Sequence, residues 1–389
     1  MRDLRIWAGT VVPLVLSLAA CDRGALQPDP GGQTAPPTDM RPVGPTRPPC
    51  DQLVQLADPA LDAVVHEAMG IPAGSPIPPI SAPGLSELRA DGMGIRSLAG
   101  IECFTGLQLL DLIDNQIMDI SPVANLVNLT ELDLNGNRVQ SIAAVARLTK
   151  LTELELTQNL ITDIRPLASL VNLERLGLTD NAINNVEPLR GLTRVRMLWI
   201  DGNAIHDIEP LTGMTNLGEL TLSRNPVTNL SSLASIASLY SLTLADAPSA
   251  DLSTLSSDTL VNIDLSHNTV ATVLRLPPQS RFPNLVWISF SDSAFNDTDI
   301  NRLLPVLRGL TVESLVVTDN QISNLAPFAQ THAGNLYFTN NRITDLSPIL
   351  TFPSPPLLFV DVRTNPFDCD AQAATIHGAG PIYIYTDCP

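Results

Sequence analysis

The sequence predicts an α/β solenoid. This is a horseshoe with one parallel concave sheet, short helical or 3-10 segments on the convex side, and a cap at each end. Three observations predict it. A 22-residue period runs without a slip from the unit starting at Leu85 to the unit starting at Leu239. Apolar and polar residues alternate over a short, strand-like stretch of each unit. The composition is 44% hydrophobic but only 4% aromatic, so the core must be mostly aliphatic.

Residues 1–20 have the pattern of a secretory signal peptide. Arg2 and Arg5 precede an apolar run from Ile6 to Ala20, which Pro13 interrupts. This run is shorter than the ~20 residues that are needed to cross a bilayer as a helix. We therefore expect it to direct export rather than to span the membrane.

The apolar run ends in Leu18-Ala19-Ala20-Cys21, which resembles the lipobox of bacterial lipoproteins. The resemblance implies cleavage before Cys21, a lipid on its thiol, and membrane contact through that lipid only. An ordinary signal peptide with a cysteine nearby is the alternative. Residues 21–49 are rich in Pro and predict a disordered tether behind the lipidated Cys. The expected location is the bacterial cell envelope, either the outer membrane and cell surface or the periplasmic side of the inner membrane.

The repeats occupy residues 85–365 in about thirteen units with the pattern LxxLxLxxNxIxxIxPLxxLxx. The LxL alternation predicts a short strand in each unit, and stacked units would pair these strands in parallel. Asparagine recurs at the ninth position, where a stacked amide can both donate to and accept from buried turn backbone. This predicts a structural ladder of Asn115, Asn137, Asn159, Asn181, Asn203, Asn225, Asn268, Asn320, Asn341 and Asn365. Met93, Ala247 and Ser293 interrupt it.

The repeat pattern LxxLxLxxNxIxxIxPLxxLxx resembles the leucine-rich repeat family, and specifically the 22-residue class found in internalin-like bacterial surface proteins.

An Asp or Asn recurs at the thirteenth position of the units, usually three residues before a Pro. Such residues suit a turn that opens a convex segment better than they suit metal or acid–base chemistry. They are Asp119, Asp163, Asn185, Asp207, Asn229, Asp251, Asn324 and Asp345. Residues 297–309 have the pattern of a fuller convex helix.

Two caps flank the repeats. Residues 50–84 resemble the helical N-terminal cap of internalin-like proteins, with Asp58 and Pro59 opening the helix. Residues 366–389 resemble the cysteine-containing C-terminal caps of extracellular leucine-rich repeats. These resemblances imply disulfides that pair Cys50 with Cys103 and Cys369 with Cys388, in an oxidising compartment. Free thiols or a metal site are the alternative.

The sequence carries no recognisable catalytic motif. His66-Glu67 begins like a zinc-protease motif, but Gly70 stands where the second histidine belongs. The five histidines lie far apart in sequence and are interpreted as isolated surface residues: His66, His206, His267, His332 and His377. A net charge of −18 excludes a general nucleic-acid binder. We expect no enzymatic activity, no cofactor and no metal site.

The concave face supplies the candidate binding residues. In the first four units its outward positions are mostly acidic: Glu87, Arg89, Asp91, Asp111, Asp114, Glu131, Asp133, Glu153 and Glu155. A basic patch on a partner or a bound cation would suit this charge, and a merely solubilising face is the alternative.

In the middle of the concave face, an outward Trp with Arg nearby has the composition of a binding hot spot. The predicted partner-binding residues are Arg175, Met197, Trp199, Asp201 and Arg224, together with Glu131, Asp133, Glu153 and Glu155. Trp287, Val316, Tyr337 and Phe359 would form a second apolar stripe or pack under the C-terminal cap.

The resulting hypothesis is a monomeric, non-enzymatic, envelope-anchored protein whose concave face binds a macromolecule, most simply a protein. Internalin-like proteins can act as adhesins, but the motifs specify the fold far better than the function. Two alternatives stay open. One is a structural or sensory envelope component. The other is a regulatory subunit that embraces an enzyme.

The lipobox resemblance predicts that Cys21→Ser abolishes membrane association without blocking folding, because the substitution removes the only acylated thiol. Cell fractionation followed by immunoblotting measures this. A variant that still sediments with membranes would contradict a lipid anchor at Cys21.

Overall fold

The computed structural model describes residues 50–352, 358–380 and 382–388. The predicted signal peptide, the lipidation site Cys21 and the tether at 21–49 lie outside the described residues. The described residues belong to one compact unit. No helix of the described residues is both long and apolar enough to cross a membrane.

One parallel sheet of fourteen strands follows chain order from β1 to β14, as the solenoid prediction requires. The strands are β1 Glu87–Arg89, β2 Leu109–Asp111, β3 Glu131–Asp133, β4 Glu153–Glu155, β5 Arg175–Gly177, β6 Met197–Trp199, β7 Glu219–Thr221, β8 Ser241–Thr243, β9 Asn262–Asp264, β10 Trp287–Ser289, β11 Thr311–Val316, β12 His332–Tyr337, β13 Leu358–Asp361 and β14 Ile382–Tyr385. Thirteen of these belong to the predicted repeat units. The fourteenth comes from the C-terminal cap, where the alternating sequence IYIY pairs with β13.

Short helices close each unit on the convex side. The α-helices are α1 Pro59–Ala68, α2 Val270–Val273, α3 Asp297–Arg308 and α4 Cys369–Gly378. The 3-10 segments are Ala82–Gly84, Ile101–Cys103, Ser121–Asn125, Ala143–Arg147, Arg165–Ser169, Glu187–Leu189, Glu209–Gly213, Ser231–Ser235, Leu252–Thr254, Gln279–Arg281, Ala326–Gln330 and Ser347–Thr351. The long helix predicted over 297–309 is α3, which Asn296 and Asp299 cap reciprocally.

The core is a continuous stack of aliphatic side chains between the sheet and the convex turns. In the fourth unit its members are Leu151, Leu154, Leu156, Ile161, Ile164, Leu167 and Leu170, all of which are buried. Full burial of each such side chain contributes about 1.5–3 kcal/mol. Each unit adds the same aliphatic layer, so the many Leu residues form a core that runs along the stack of units instead of one central globular core.

Asparagines at the ninth position join each unit to the one before it. The Asn159 Oδ1 accepts from the Val139 N–H at 2.9 Å, while its Nδ2 donates to the Leu134 carbonyl at 2.9 Å and to the Leu156 carbonyl at 3.1 Å. The same arrangement of bonds recurs at Asn115, Asn137, Asn181, Asn203, Asn225, Asn268, Asn320, Asn341 and Asn365. Where Ser293 interrupts the ladder, the Asn320 Oδ1 accepts from the N–H groups of both Ser293 and Phe295.

Residues at the thirteenth position form turns, as their side chains predict. The Asp163 Oδ1, for example, accepts from the Arg165 N–H at 3.0 Å. The same bond to the N–H two residues later forms at Asp119, Asn185, Asp207, Asn229, Asp251, Asn324 and Asp345. Each therefore opens a convex segment.

Both caps are tied to their neighbours. Disulfides join Cys50 to Cys103 and Cys369 to Cys388. At the N-terminal cap, the Asp58 Oδ1 accepts from the N–H of Ala60 at the start of α1. The Asp58 Oδ2 accepts from the Arg96 N–H in the first repeat at 2.7 Å. One carboxylate thus caps a helix and docks it on the solenoid.

The interpretation of His66 as a surface residue is wrong. This side chain is only 3% exposed. Its Nδ1 lies 2.7 Å from the Asp62 carbonyl oxygen, and its Nε2 lies 2.9 Å from the Ser75 carbonyl oxygen. Hydrogen bonds to the Ser75 and Asp62 backbone raise its pKa, because two acceptors favour the imidazolium with two N–H donors. His66 therefore serves the packing of the cap.

The ladder predicts that Asn159→Ala lowers the unfolding free energy by about 2–3 kcal/mol, because the buried Val139 N–H loses its acceptor. Chemical denaturation followed by circular dichroism measures the change. The control is Asn172→Ala, which removes an exposed bond to the Thr149 carbonyl and should cost less than about 0.5 kcal/mol. Equal losses in the two variants would contradict the role of the ladder.

Candidate functional site

In the three-residue strands, such as β3, β4 and β6, the middle residue points into the core and the flanking residues point toward the concave face. The pairing register aligns the flanking residues in two columns across the sheet. The first column is Glu87, Leu109, Glu131, Glu153, Arg175, Met197, Glu219, Ser241, Asn262, Trp287, Ser314, Asn335, Phe359 and Tyr383. The second column is Arg89, Asp111, Asp133, Glu155, Gly177, Trp199, Thr221, Thr243, Asp264, Ser289, Val316, Tyr337, Asp361 and Tyr385.

After Arg89, the second column carries three acidic residues, Asp111, Asp133 and Glu155, which we call the acidic run. Their carboxyl groups have raised pKa values. Burial, followed by a hydrogen bond and the charge of Asp91, raises the pKa of Asp111 to about 7. Burial raises the pKa of Asp133 to about 6. Burial and the charge of Asp133 raise the pKa of Glu155 to about 7. Near neutral pH this run is therefore only partly ionised, and a nearby cation would favour its charged form.

A small hollow of about 140 Å³ opens over these carboxyls. Its lining is Arg89, Leu109, Leu110, Asp111, Glu131, Leu132, Asp133, Glu153 and Glu155. Arg89 approaches Asp111 at 3.5 Å, and Arg175 pairs with Glu153, so a cation stands at each end of the run. Among the described residues, no group of three or more His, Cys, Asp or Glu side chains is arranged to hold a metal ion.

The residues predicted for the middle of the face divide into two sets. Met197 and Trp199 are the flanking residues of β6, half-buried on the concave face, and Arg175 lies beside Met197 in register. By contrast, Asp201 and Arg224 lie in the turns just after β6 and β7. The Asp201 Oδ1 accepts from the Ser223 N–H at 2.7 Å, and Arg224 donates to Asp180 at 2.6 Å.

The internal bonds of Asp201 and Arg224 give both a structural use within the repeats. The part of the predicted hot spot that lies on the concave strands is therefore the trio of Arg175, Met197 and Trp199, of which Arg175 also pairs with Glu153. Its aromatic member lies between the buried Leu198 and Ile200, as the strand alternation predicts.

Two functional-face residues that sequence analysis missed come from the C-terminal cap. Tyr383 and Tyr385 of β14 continue the two columns, and they are 63% and 41% exposed. Phe359 stacks on Tyr383 with ring centroids 5.8 Å apart, and Tyr337 lies 5.6 Å from Phe359. The alternation in IYIY was the available signal, but it lies beyond the last recognisable repeat.

Models of the leucine-rich repeat family match part of the chain. The model described as "Leucine Rich repeats (2 copies)" matches residues 105–147 and 193–235, and "Leucine rich repeat" matches residues 127–183. A comparison with curated protein sequences finds no match. With the parallel sheet and its asparagine ladder, the repeats define a leucine-rich repeat solenoid.

Solved structures make the similarity more specific. An internalin, InlF, of Listeria monocytogenes is 26% identical, with 87% of this chain and 97% of that chain covered and a TM-score of 0.64. Internalin InlC2 of the same organism is 37% identical over 49% of this chain and 85% of that chain, with a TM-score of 0.48. A leucine-rich repeat protein of Leptospira interrogans is 17% identical over 77% and 83% of the two chains, with a TM-score of 0.54. The fold of this chain is therefore a leucine-rich repeat solenoid similar to that of a listerial internalin.

The raised pKa of Glu155 predicts that Glu155→Gln weakens the pH dependence of stability. Because the folded state holds this proton more tightly than the unfolded state, stability falls as pH rises from about 4.5 to about 7. Glutamine cannot ionise, so the variant should exceed the parent protein by about 1–2 kcal/mol at pH 8 after allowance for solvent screening.

Denaturation curves at pH 5 and pH 8 provide this comparison. Glu131→Gln, which removes one carboxylate from an exposed position of the neighbouring strand, controls for the loss of a single charge. If the parent protein and both variants change equally between the two pH values, the assignment to Glu155 is incorrect.

Proposed function

We propose that this protein is a non-enzymatic binding protein that recognises a protein partner on the N-terminal half of its concave face. The site consists of the acidic side chains of β2 to β4 and of Met197 and Trp199 on β6, with Arg175 on the strand between them. Leucine-rich repeat proteins generally mediate protein–protein binding, which supports this class of function. The particular partner is identified here only by its chemistry, which is a basic surface next to an apolar one.

The acidic run supports recognition of basic side chains. Glu131 and Glu153 in the first column lie beside Asp133 and Glu155 in the second, so four carboxyl groups share two neighbouring strands. Clustered charge of one sign on a concave surface steers an oppositely charged partner toward it. Arriving Lys or Arg side chains would also lower these raised pKa values, so the carboxyls would release their protons to solvent and the attraction would strengthen.

Trp199 is the single observation that carries the proposal. A large aromatic ring stands half-buried on the sheet face, with Met197 on the same strand and Arg175 on the strand before it. Tryptophan and arginine are enriched among the residues that dominate interface energies. A half-buried position limits the loss of side-chain freedom on binding, so the ring is suited to be an anchor.

Anchoring in the envelope is part of the same proposal. A lipid on Cys21 and a Pro-rich tether over 21–49 would hold the solenoid near a bacterial membrane while leaving its concave face accessible. Two disulfides in the caps support an oxidising compartment. The monomeric state expected from the sequence belongs to this proposal as well.

Trp199→Ala should reduce capture of the partner by at least about tenfold, because it removes the aromatic anchor. Its melting temperature should shift by only a few degrees, because the ring is partly exposed on the sheet face. Crosslinking of intact cells that carry the full-length protein, followed by affinity purification and mass spectrometry, provides the measurement.

The matched control is Leu160→Ala, which truncates an apolar side chain that is 53% exposed in the turn after β4. It should leave the crosslinked partner unchanged. A Trp199→Ala variant that folds normally and captures the same partner at the parent level would refute this site.

A further inference from the structure

The two columns change chemistry halfway along the sheet. From β8 to β14 they carry hydroxyl, amide and aromatic side chains in place of the acidic run. Two carboxylates do occur there, and both are engaged internally. Asp264 accepts from the Ser266 N–H at 2.9 Å, and Asp361 is paired with Arg363 at 2.6 Å. Because Arg363 balances Asp361, the two columns of the C-terminal half keep one carboxylate, Asp264, that no cation pairs with among the described residues, which is far less charge than in the N-terminal half.

Three neighbouring polar side chains in this half have unused hydrogen-bonding capacity. Within the part of the chain that the structure describes, the side chains of Ser241, Thr243 and Asn262 have no hydrogen-bond partner. They contrast with Thr221 one strand earlier, whose hydroxyl donates to Asp201. Half-buried groups that the protein leaves unpaired are free to meet a ligand.

These side chains share one open hollow of about 430 Å³. Its lining is Ser241, Leu242, Thr243, Asn262, Asp264 and Trp287. This volume lies in the ~300–1,000 Å³ range of small-ligand sites. Trp287 stands beside Asn262 in register, so the indole ring forms one edge of a floor made of two hydroxyls and one amide. The indole N–H is also without a partner among the described residues.

A second aromatic surface lies farther along the same columns. Phe359 is three strands beyond Trp287, which is about 14 Å at ~4.8 Å per strand. Phe359 and Tyr383 lie with their rings nearly parallel, at 15°, and Tyr383 is largely exposed. Between the aromatic surfaces the first column carries Ser314 and Asn335, and the Asn335 Nδ2 donates to the Ser314 Oγ at 3.3 Å. Stacking surfaces thus alternate with neutral donors and acceptors.

We infer that the C-terminal half of the concave face binds a neutral oligosaccharide that lies across the strands from the floor on β8 and β9, over Trp287, toward Phe359. The C–H face of a pyranose is weakly positive and packs on the negative face of an aromatic ring. Sugar hydroxyls and acetamido groups can pair with the free hydroxyls and amide of the floor. An acidic glycan is disfavoured by the net charge of −18.

This site is independent of the proposed protein-binding site, because it uses different strands and different chemistry. A basic peptide would gain little on this half, where the two carboxylates are already bonded. A neutral glycan matches every unused group of the hollow without requiring a charge.

Titration calorimetry of the purified full-length protein, in a detergent without a sugar head group, tests the inference. The probes are chitotetraose, cellotetraose and maltotetraose, with tetralysine as the alternative ligand. At least one tetrasaccharide should bind. Trp287→Ala should weaken that binding about tenfold, while Trp287→Phe, which keeps a stacking ring, should retain most of it.

Asn262→Ala should also weaken the binding, because it removes the amide of the floor. Met118→Ala, which truncates a side chain that is 59% exposed in a turn outside the sheet, is the control and should bind like the parent protein. Absence of binding by all three tetrasaccharides would overturn the inference. Unchanged affinity in Trp287→Ala, or tetralysine binding that depends on Trp287, would also overturn it.

Discussion

The rest of the structure depends on the asparagine ladder between successive turns. Each amide accepts from at least one backbone N–H of the preceding unit and donates to carbonyl groups of both units, as Asn159 does with Val139, Leu134 and Leu156. These backbone groups are buried where the chain leaves the sheet, so they would otherwise lose their hydrogen bonds to water without replacement. Only a side chain that donates and accepts at once can satisfy both sides. The ladder therefore fixes the position of each unit relative to its neighbour.

A fixed position between units gives the concave face its order. Because every strand pairs with the next in the same register, side chains that are 22 residues apart become neighbours, such as Asp133 and Glu155. The residue types at equivalent positions of successive units therefore determine which side chains lie next to each other on the concave face. The first half gathers carboxyls with raised pKa on β2 to β4 and, two strands farther along, Met197 and Trp199 on β6. The second half gathers the free hydroxyls and amide of β8 and β9 beside Trp287, with the terminal aromatic rings farther along the same face. One fold can thus present two surfaces of different chemistry.

Much of this arrangement could be predicted from the sequence because the repeat imposes it. The period identifies the strands, the ladder and the outward position of Trp199, and the recurring Asp and Asn residues identify the turns. Long-range consequences could not be read in the same way. The buried position of His66 depends on a hydrogen bond to the carbonyl of Ser75, and no local sequence pattern predicts this contact. Strand β14 belongs to the C-terminal cap, which departs from the repeat pattern. The hydrogen bond that Asp201 accepts comes from Ser223 in the next unit.

Amide hydrogen exchange tests the central role of the ladder most directly. The N–H groups of Ile117, Val139, Ile161, Ile183 and Ile205 each donate to a ladder asparagine. If the ladder fixes the units, these amides should share strong protection and exchange only when the solenoid opens. The exposed turn amides of Arg165 and Glu187 should exchange much faster. Ladder amides that exchange as fast as these turn amides would contradict the account.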